Sequence, residues 1–275
     1  MYDTIPFFKI PYTLDDLSVV IPHIKAHQKR FEWFIPQYIK ATPSEVIKNT
    51  IVTYDGDDFS KNILDKFRIK GVVVTESDWS TYKQMEGFKN VNTRLCARMH
   101  NDACIIRSDW AQCLVSQFNS TSEPQMIGAL NPTGFLAKEW VDKMLEMFPS
   151  FKPVYDQLKF DYNPNGHAYM PCNYFSAFFL ASQSYVLKTI YHQAISINDF
   201  RMDKEDCMLT VFACLYNIQL TSWQDMYSFV CAARDKIGDF EEGDKIPPEP
   251  IIVDDTNREN MPKAVFHPVR SIVDF

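Results

Sequence analysis

"LSVVIP" (17–22) is an almost unbroken apolar run closed by a proline, and such a run predicts a short buried strand. The pattern recurs. "NTIVTYDGDD" (49–58) predicts a second strand ending in an acidic, glycine-containing turn. "KGVVVTES" (70–77) predicts a third strand and "TRLCARM" (93–99) a fourth. Between them the polar positions space out. Residues 24–41 predict a helix with Pro36 as a kink or break, because proline has no N–H to donate. Residues 79–90 read as helix or loop. Ser108 predicts a cap for a helix through about Phe118, with Asp109 at its positive end.

The second half continues in kind. "PQMIGAL" (124–130) predicts a strand and "LAKEWVDKMLEMF" (136–148) an amphipathic helix. "NPNGHAYMPCN" (163–173) is a turn-rich loop, followed by a strand at 174–182 and a helix at 183–194. "DKEDCMLTVFACLYN" (203–217) predicts a helix opened by Asp203, with an apolar stripe at Met208, Val211, Phe212 and Leu215. From Phe240 onward the chain is rich in proline and acid. It reads as an extended wrap or lid with one short strand at "KAVFHPV" (263–269).

Alternating strands and helices predict an α/β fold with a mostly parallel sheet and flanking helices. Such sheets bind ligands beyond the carboxyl ends of their strands. Three polar clusters fall there: Pro22-His23, Asp55-Gly56-Asp57-Asp58 and His100-Asn101-Asp102. His100 and Asp102 are two residues apart, so both face one side of an extended chain. The expected organisation is one domain over residues 1–240 and a wrap or lid over 241–275.

Composition narrows the function. The chain has 275 residues, 46% hydrophobic and 23% charged, which is ordinary for a globular fold. Its net charge of −7 argues against a broad nucleic-acid footprint, which needs a basic surface. The seven cysteines are odd in number and contain no Cys-x-x-Cys, so core thiols in a reducing compartment are expected. No basic leader precedes an apolar segment, and the longest apolar runs are too short to span a bilayer. The expectation is a cytoplasmic protein without a transmembrane segment. Trp79, Trp110, Trp140 and Trp223 are expected mainly in the core.

The order of these segments resembles a nucleotide-diphosphosugar glycosyltransferase of the GT-A fold, nearest to family 2. "LSVVIP" is similar to that family's first strand and "TIVTYDGDD" to its strand-plus-acid segment, with Asp55 at the position that reads the base. "ARMHNDACIIRSDWAQCL" resembles the metal segment, an apolar strand, D-x-D or N-x-D, an apolar run and a Trp-containing helix. "CNYFSAFFLASQSYVL" resembles the acceptor strand, and "DFRMDKEDCMLTVFACLYN" the E-D helix that supplies the base in inverting members. Two departures stand out. The D-x-D is His100-x-Asp102, and Ala213 and Cys214 lie where an Arg or Gln is usual.

The resemblance implies a nucleotide-sugar half over 1–120 and an acceptor half over 121–240. It implies a metal-dependent, inverting transferase moving a sugar from a nucleotide-diphosphate donor, UDP- or GDP-linked, to a glycan hydroxyl. Mn²⁺ or Mg²⁺ would be held by Asp102, His100 and His267, with imidazole favouring Mn²⁺. The donor would meet Pro22, His23, Asp55, Asp57, Asn101, Asp102 and Arg270. Asp206 is the catalytic base by resemblance, whereas helical periodicity favours Glu205. Two rival readings remain: a nucleotidyltransferase making the nucleotide-sugar, and a non-catalytic sugar-binding relative. The first wants a glycine-rich phosphate loop after the first strand, and "IPHIKAHQKR" has bases but no glycine. The second is kept open by loss of the first D-x-D acid.

Overall fold

The computed structural model describes residues 10–75, 80–101, 103–131, 135–158, 161–162, 167–169, 174–196, 205–223, 226–228 and 265–267. β1 (Leu17–Pro22) is followed by α1 (Gln28–Ala41), α2 (Ser44–Ile47), β2 (Ile51–Tyr54), α3 (Asp58–Phe67), β3 (Lys70–Val73) and α4 (Ser80–Lys89). β4 (Leu95–Met99), β5 (Cys104–Ile105), α5 (Trp110–Asn119), β6 (Gln125–Asn131), β7 (Phe135–Ala137), α6 (Lys138–Met147) and α7 (Lys152–Leu158) come next. The described chain then runs through β8 (Asp161–Tyr162), β9 (His167–Tyr169), β10 (Tyr174–Gln183), α8 (Ser184–Ser196), α9 (Glu205–Leu215), β11 (Gln219–Ser222), β12 (Met226–Ser228) and β13 (Val265–His267).

Seven strands form one sheet in the order β11-β6-β10-β4-β1-β2-β3. β1 pairs in parallel with β2 and β4, and β2 with β3. β10 is antiparallel to both β4 and β6, so it alone runs against the rest. Two three-stranded sheets accompany it, β12-β13-β5 and β7-β9-β8.

Strand alternation sends side chains to both faces, and both are covered. Leu17, Val19, Ile21, Val52, Leu95, Ala97 and Met99 join one apolar cluster with Phe31, Phe34, Ile35 and Tyr38 of α1 and with Trp110, Leu114 and Phe118 of α5. Val20, Ile51, Cys96, Met126 and Leu180 join a second, with Phe88 of α4, Leu187 and Tyr191 of α8 and Phe212 of α9. α4 presses so close to the sheet that a Cβ added at Gly87 would lie 2.3 Å from Val20 Cγ1. Only glycine permits that approach.

Some local expectations changed. α1 runs unbroken through Pro36, because its apolar face is buried on the sheet and tertiary packing outweighs one missing hydrogen bond. Ser108 does not cap α5. The N-cap position is Asp109, whose carboxylate instead takes two bonds from Arg107, each 2.9 Å. α9 is buried at Leu209, Thr210 and Ala213 as well as at Val211, Phe212 and Leu215 of the expected stripe, since it packs against β10, α8 and β11 together. Residues 79–90 resolve into a helix over most of their length. Trp110 and Trp223 are core residues, 0% and 1% exposed. Trp79 and Asp203 lie outside the described residues. Cys96, Cys104, Cys113 and Cys214 are free thiols, and burial pushes Cys96 and Cys104 up to about 12.

Candidate active site

β1, β2 and β4 are parallel neighbours, so their carboxyl ends lie side by side. His23 follows β1, and its N–H donates to Thr53 O of β2 at 2.8 Å, which draws the two strand ends together. Its ring is fully buried and stacks on Phe31 with centroids 4.0 Å apart. His23 Nε2 lies 3.0 Å from Ser60 Oγ, and His23 Nδ1 lies 3.1 Å from Asn101 Nδ2. Ser60 Oγ donates to Asp57 Oδ1 at 3.0 Å.

A carboxylate can only accept, so the single Ser60 hydroxyl proton goes to Asp57. His23 Nε2 must then carry a proton and donate to Ser60. Its Nδ1 accepts from the Asn101 amide. One chain of bonds thus links the ends of β1, β2 and β4. Burial drives the His23 pKa down to about 4, against the pull of Asp57 and Asp55. The ring is therefore neutral at physiological pH.

Asp57 sits at the N-cap of α3 and accepts from Ser60 N at 2.9 Å and Gln28 Nε2 at 3.2 Å. Burial opposes its charge, but these bonds hold it below the usual carboxylate range. Its Oδ2 is buried and, among the described residues, receives no hydrogen bond. Asp55 differs. Its Oδ2 accepts from Lys25 N at 2.6 Å, and its Oδ1 is paired with the fully buried Lys83, which also donates to Val74 O at 3.0 Å. Just beside it Lys25, His27, Lys29 and Arg30 line a cavity of about 360 Å³, a basic mouth in an acidic protein.

At the end of β4, Arg98 is 0% exposed and donates to Gln84 Oε1 at 2.8 Å. The Tyr191 hydroxyl donates to the same oxygen at 2.5 Å. Gln84 Nε2 meets His100 Nε2 at 3.4 Å. Ser60, Lys83, Gln84, Arg98 and Tyr191 were not legible as site-supporting residues. The one available signal was a charged Arg98 inside the otherwise apolar "LCARM".

The folded chain can be set beside solved structures. The galactosyltransferase LgtC, solved with donor and acceptor sugar analogs, matches with a TM-score of 0.52 over 92% of this chain and 87% of its own, at 12% identity. The fold is that of a GT-A glycosyltransferase. The mannosyltransferase PcManGT from Pyrobaculum calidifontis, in complex with GDP-Man and Mn²⁺, matches at 0.49 over 76% of this chain and 54% of its own, with 8% identity. The 4-diphosphocytidyl-2C-methyl-D-erythritol synthase from Anaerococcus prevotii matches at 0.44 over 75% and 86%, with 13% identity. No protein-family model matches the sequence, and no curated protein does.

On this GT-A frame the remaining candidates are located by backbone alone. β13 pairs antiparallel with β5, Val265 opposite Ile105 and Phe266 opposite Cys104. Continued by one residue, that register sets His267 opposite Ala103, the neighbour of Asp102. The tail strand thus folds back onto the segment that follows His100-Asn101-Asp102. Glu205 and Asp206 open α9. The chain leaves α9 and enters β11 at Gln219, opposite Gln125, the first residue of β6. α9 therefore begins toward the opposite end of the sheet, the end that holds His23 and Asn101. Asp102 and Arg270 lie outside the described residues, and Pro22 is the buried last residue of β1.

Among the described residues no three His, Cys, Asp or Glu side chains form a ligand set for a metal. A carboxylate and an imidazole, as the sequence offers at positions 102 and 267, make a donor set that suits Mn²⁺ and, less closely, Mg²⁺. Among the described residues no helix is long and apolar enough to cross a membrane.

Proposed function

We propose that this chain transfers a sugar from a nucleotide-diphosphate donor to a glycan hydroxyl, in the cytoplasm, with inversion and with help from a divalent cation. The observation that carries the reading is the chain of bonds from Asp57 through Ser60 and His23 to Asn101, which ties three strand ends into one ligand edge on a GT-A frame. Asp55 and Asp57 face the base. Asp57 has an oxygen still able to accept a ring N–H, as uracil and guanine offer, while both Asp55 oxygens already have donors. His23, being fully buried, acts by orienting Asn101. Asp102 and His267 would hold Mn²⁺ or Mg²⁺. The cation would offset the charge of the departing diphosphate. Lys25 and Lys29 add positive charge at the same edge, and Arg270 would be a further phosphate contact.

The attacking hydroxyl must lose its proton to a carboxylate within hydrogen-bond reach. Asp206, in the first turn of α9, takes that role, with Glu205 beside it as the alternative. Displacement from the face opposite the leaving diphosphate then inverts the anomeric carbon.

A thermal-shift screen of UDP, GDP, dTDP and CDP with and without Mn²⁺ tests this, because a ligand that binds only the folded state raises Tm. UDP or GDP should stabilise weakly alone and clearly with Mn²⁺. Equal shifts in EDTA would remove the cation from the reading. A shift with CTP together with pyrophosphate release would instead support nucleotidyl transfer.

A further inference from the structure

The chain of bonds that starts at Asp57 ends at Asn101, and it decides which way the Asn101 amide faces. Ser60 Oγ gives its single proton to Asp57 Oδ1, so His23 Nε2 donates to Ser60. The His23 ring is fully buried, and burial disfavours a second proton, so Nδ1 keeps its lone pair. An amide oxygen cannot donate to that lone pair. The Asn101 atom 3.1 Å from His23 Nδ1 is therefore Nδ2. Turning the amide over would set an oxygen lone pair against a ring lone pair in the interior, where unmatched acceptors are costly. Asn101 Oδ1 thus points away from the ring, and among the described residues no hydrogen bond reaches it.

The side chains on either side of this peptide diverge. Asn101 meets His23, which stacks on Phe31 of α1, whereas His100 meets Gln84 of α4. α1 and α4 cover opposite faces of the sheet. A cation on the His100 side leaves the Asn101 oxygen to an uncharged part of the donor.

We propose that Asn101 is a specificity-determining residue that accepts a hydrogen bond from a hydroxyl of the nucleotide-sugar, through an oxygen whose direction Ser60 and His23 fix. A carbonyl oxygen offers lone pairs and no proton, so it repels phosphate oxygens and selects an O–H. The ribose and the transferred sugar both carry such hydroxyls. Ser60 and His23 are positioning residues that act through the amide. The identity of the ligand rests on the transferase reading above, whereas the direction of the amide rests on the buried chain of bonds alone.

Calorimetric titration at saturating Mn²⁺ reads the contact. UDP and GDP against their 2′-deoxy and 3′-deoxy forms probe the ribose, and UDP-glucose and GDP-mannose against the free diphosphates probe the transferred sugar. The unaltered chain should prefer the ligand that carries the hydroxyl by roughly tenfold, and Asn101→Ala should shrink that preference to within about twofold. Loss of the ribose preference assigns the contact to the ribose, and loss of the sugar preference assigns it to the sugar. Equal losses for every ligand, with both preferences intact, overturn the proposal. So does loss of Mn²⁺ binding itself, which would make the oxygen a cation ligand.

Ser60→Ala frees the His23 ring to change tautomer and should weaken the same preference, while Ser60→Thr keeps the hydroxyl and should restore it. Long-range proton–nitrogen NMR of the full chain reads the ring directly, with its signals assigned by their loss in His23→Gln. His23 is expected with its proton on Nε2 alone in the unaltered protein and with a mixture of tautomers in Ser60→Ala. A proton on His23 Nδ1 in the unaltered protein would turn the amide over and overturns the proposal. If the unaltered chain binds none of these nucleotides, the transferase reading fails and takes the hydroxyl contact with it. The NMR result would still decide the direction of the amide.

Discussion

The two ends of the parallel strands carry similar polar residues and use them differently. Where β1 and β4 begin, Arg94 donates to both Asp16 oxygens at 2.7 and 2.6 Å, and to the carbonyls of Ile10 and Pro11 at 3.0 and 2.8 Å. Asn119 closes the same end by exchanging two bonds with the Tyr12 backbone. These groups turn back on the protein, and they fasten the segment before β1 to the sheet. Where the strands end, Asn101 is held from behind by the buried His23, and Asp57 keeps a buried oxygen with no donor among the described residues. Polar groups that close on each other stabilise. Polar groups oriented from one side are aimed at something else, and natural proteins concentrate such local costs where they bind or react.

The comparison can be broken first at α9. Asp206→Asn should lower turnover roughly 10²–10⁴-fold, the usual contribution of a positioned base, with Tm nearly unchanged. Glu205→Gln should cost less. If the order is reversed, Glu205 is the base, and if neither matters, the opening of α9 is structural.

The next largest effect concerns His23. Its folded pKa is about 4, below the ordinary 6.5, so the unfolded chain binds the proton more readily in between. Stability is then complete above pH 6.5 and falls as pH drops toward 4, by about 3 kcal/mol in all. Urea unfolding across this range should show that slope, and His23→Gln should flatten it. A curve already flat in the unaltered protein would mean that the ring is not held neutral.

Smaller effects separate the two ends. Asp57→Asn should weaken UDP or GDP binding by roughly tenfold, because one buried acceptor for a ring N–H is lost, while an Asn N-cap still holds α3. Asp55→Asn should instead reduce Tm, since it leaves the buried Lys83 without its counter-charge. Arg94→Ala should cost about 1 kcal/mol of stability, because the pair is partly exposed. It should leave nucleotide binding unchanged. Arg94 holds the Asp16 carboxyl down to about 2, so this contribution is present above about pH 4 and is lost as pH falls through 2. A nucleotide-binding defect in Arg94→Ala would show that the two ends are not independent.

Periodicity and short apolar runs were enough to place four parallel strands and to set three polar clusters at their ends, because strand pattern and turn chemistry are local. The tail strand was legible for the same reason: Val265 and Phe266 do not suit a solvated segment. Ser108 misled because Arg107 competes for the neighbouring carboxylate, and capping propensity does not include that competitor. Pro36 misled because helix propensity is weak against a buried apolar face.

What the sequence by itself determined is the α/β order of elements, the ligand edge, and the residue types available there. What only the tertiary structure decided is which partner each of those residues has. The Asp55–Lys83 pair spans 28 positions, Gln84–His100 spans 16 and Arg98–Tyr191 spans 93. No local rule links positions so far apart. They meet because helices α4 and α8 pack on the same face of the sheet, and inside that packed layer each buried donor must find an acceptor. The same requirement sets the tautomer of His23.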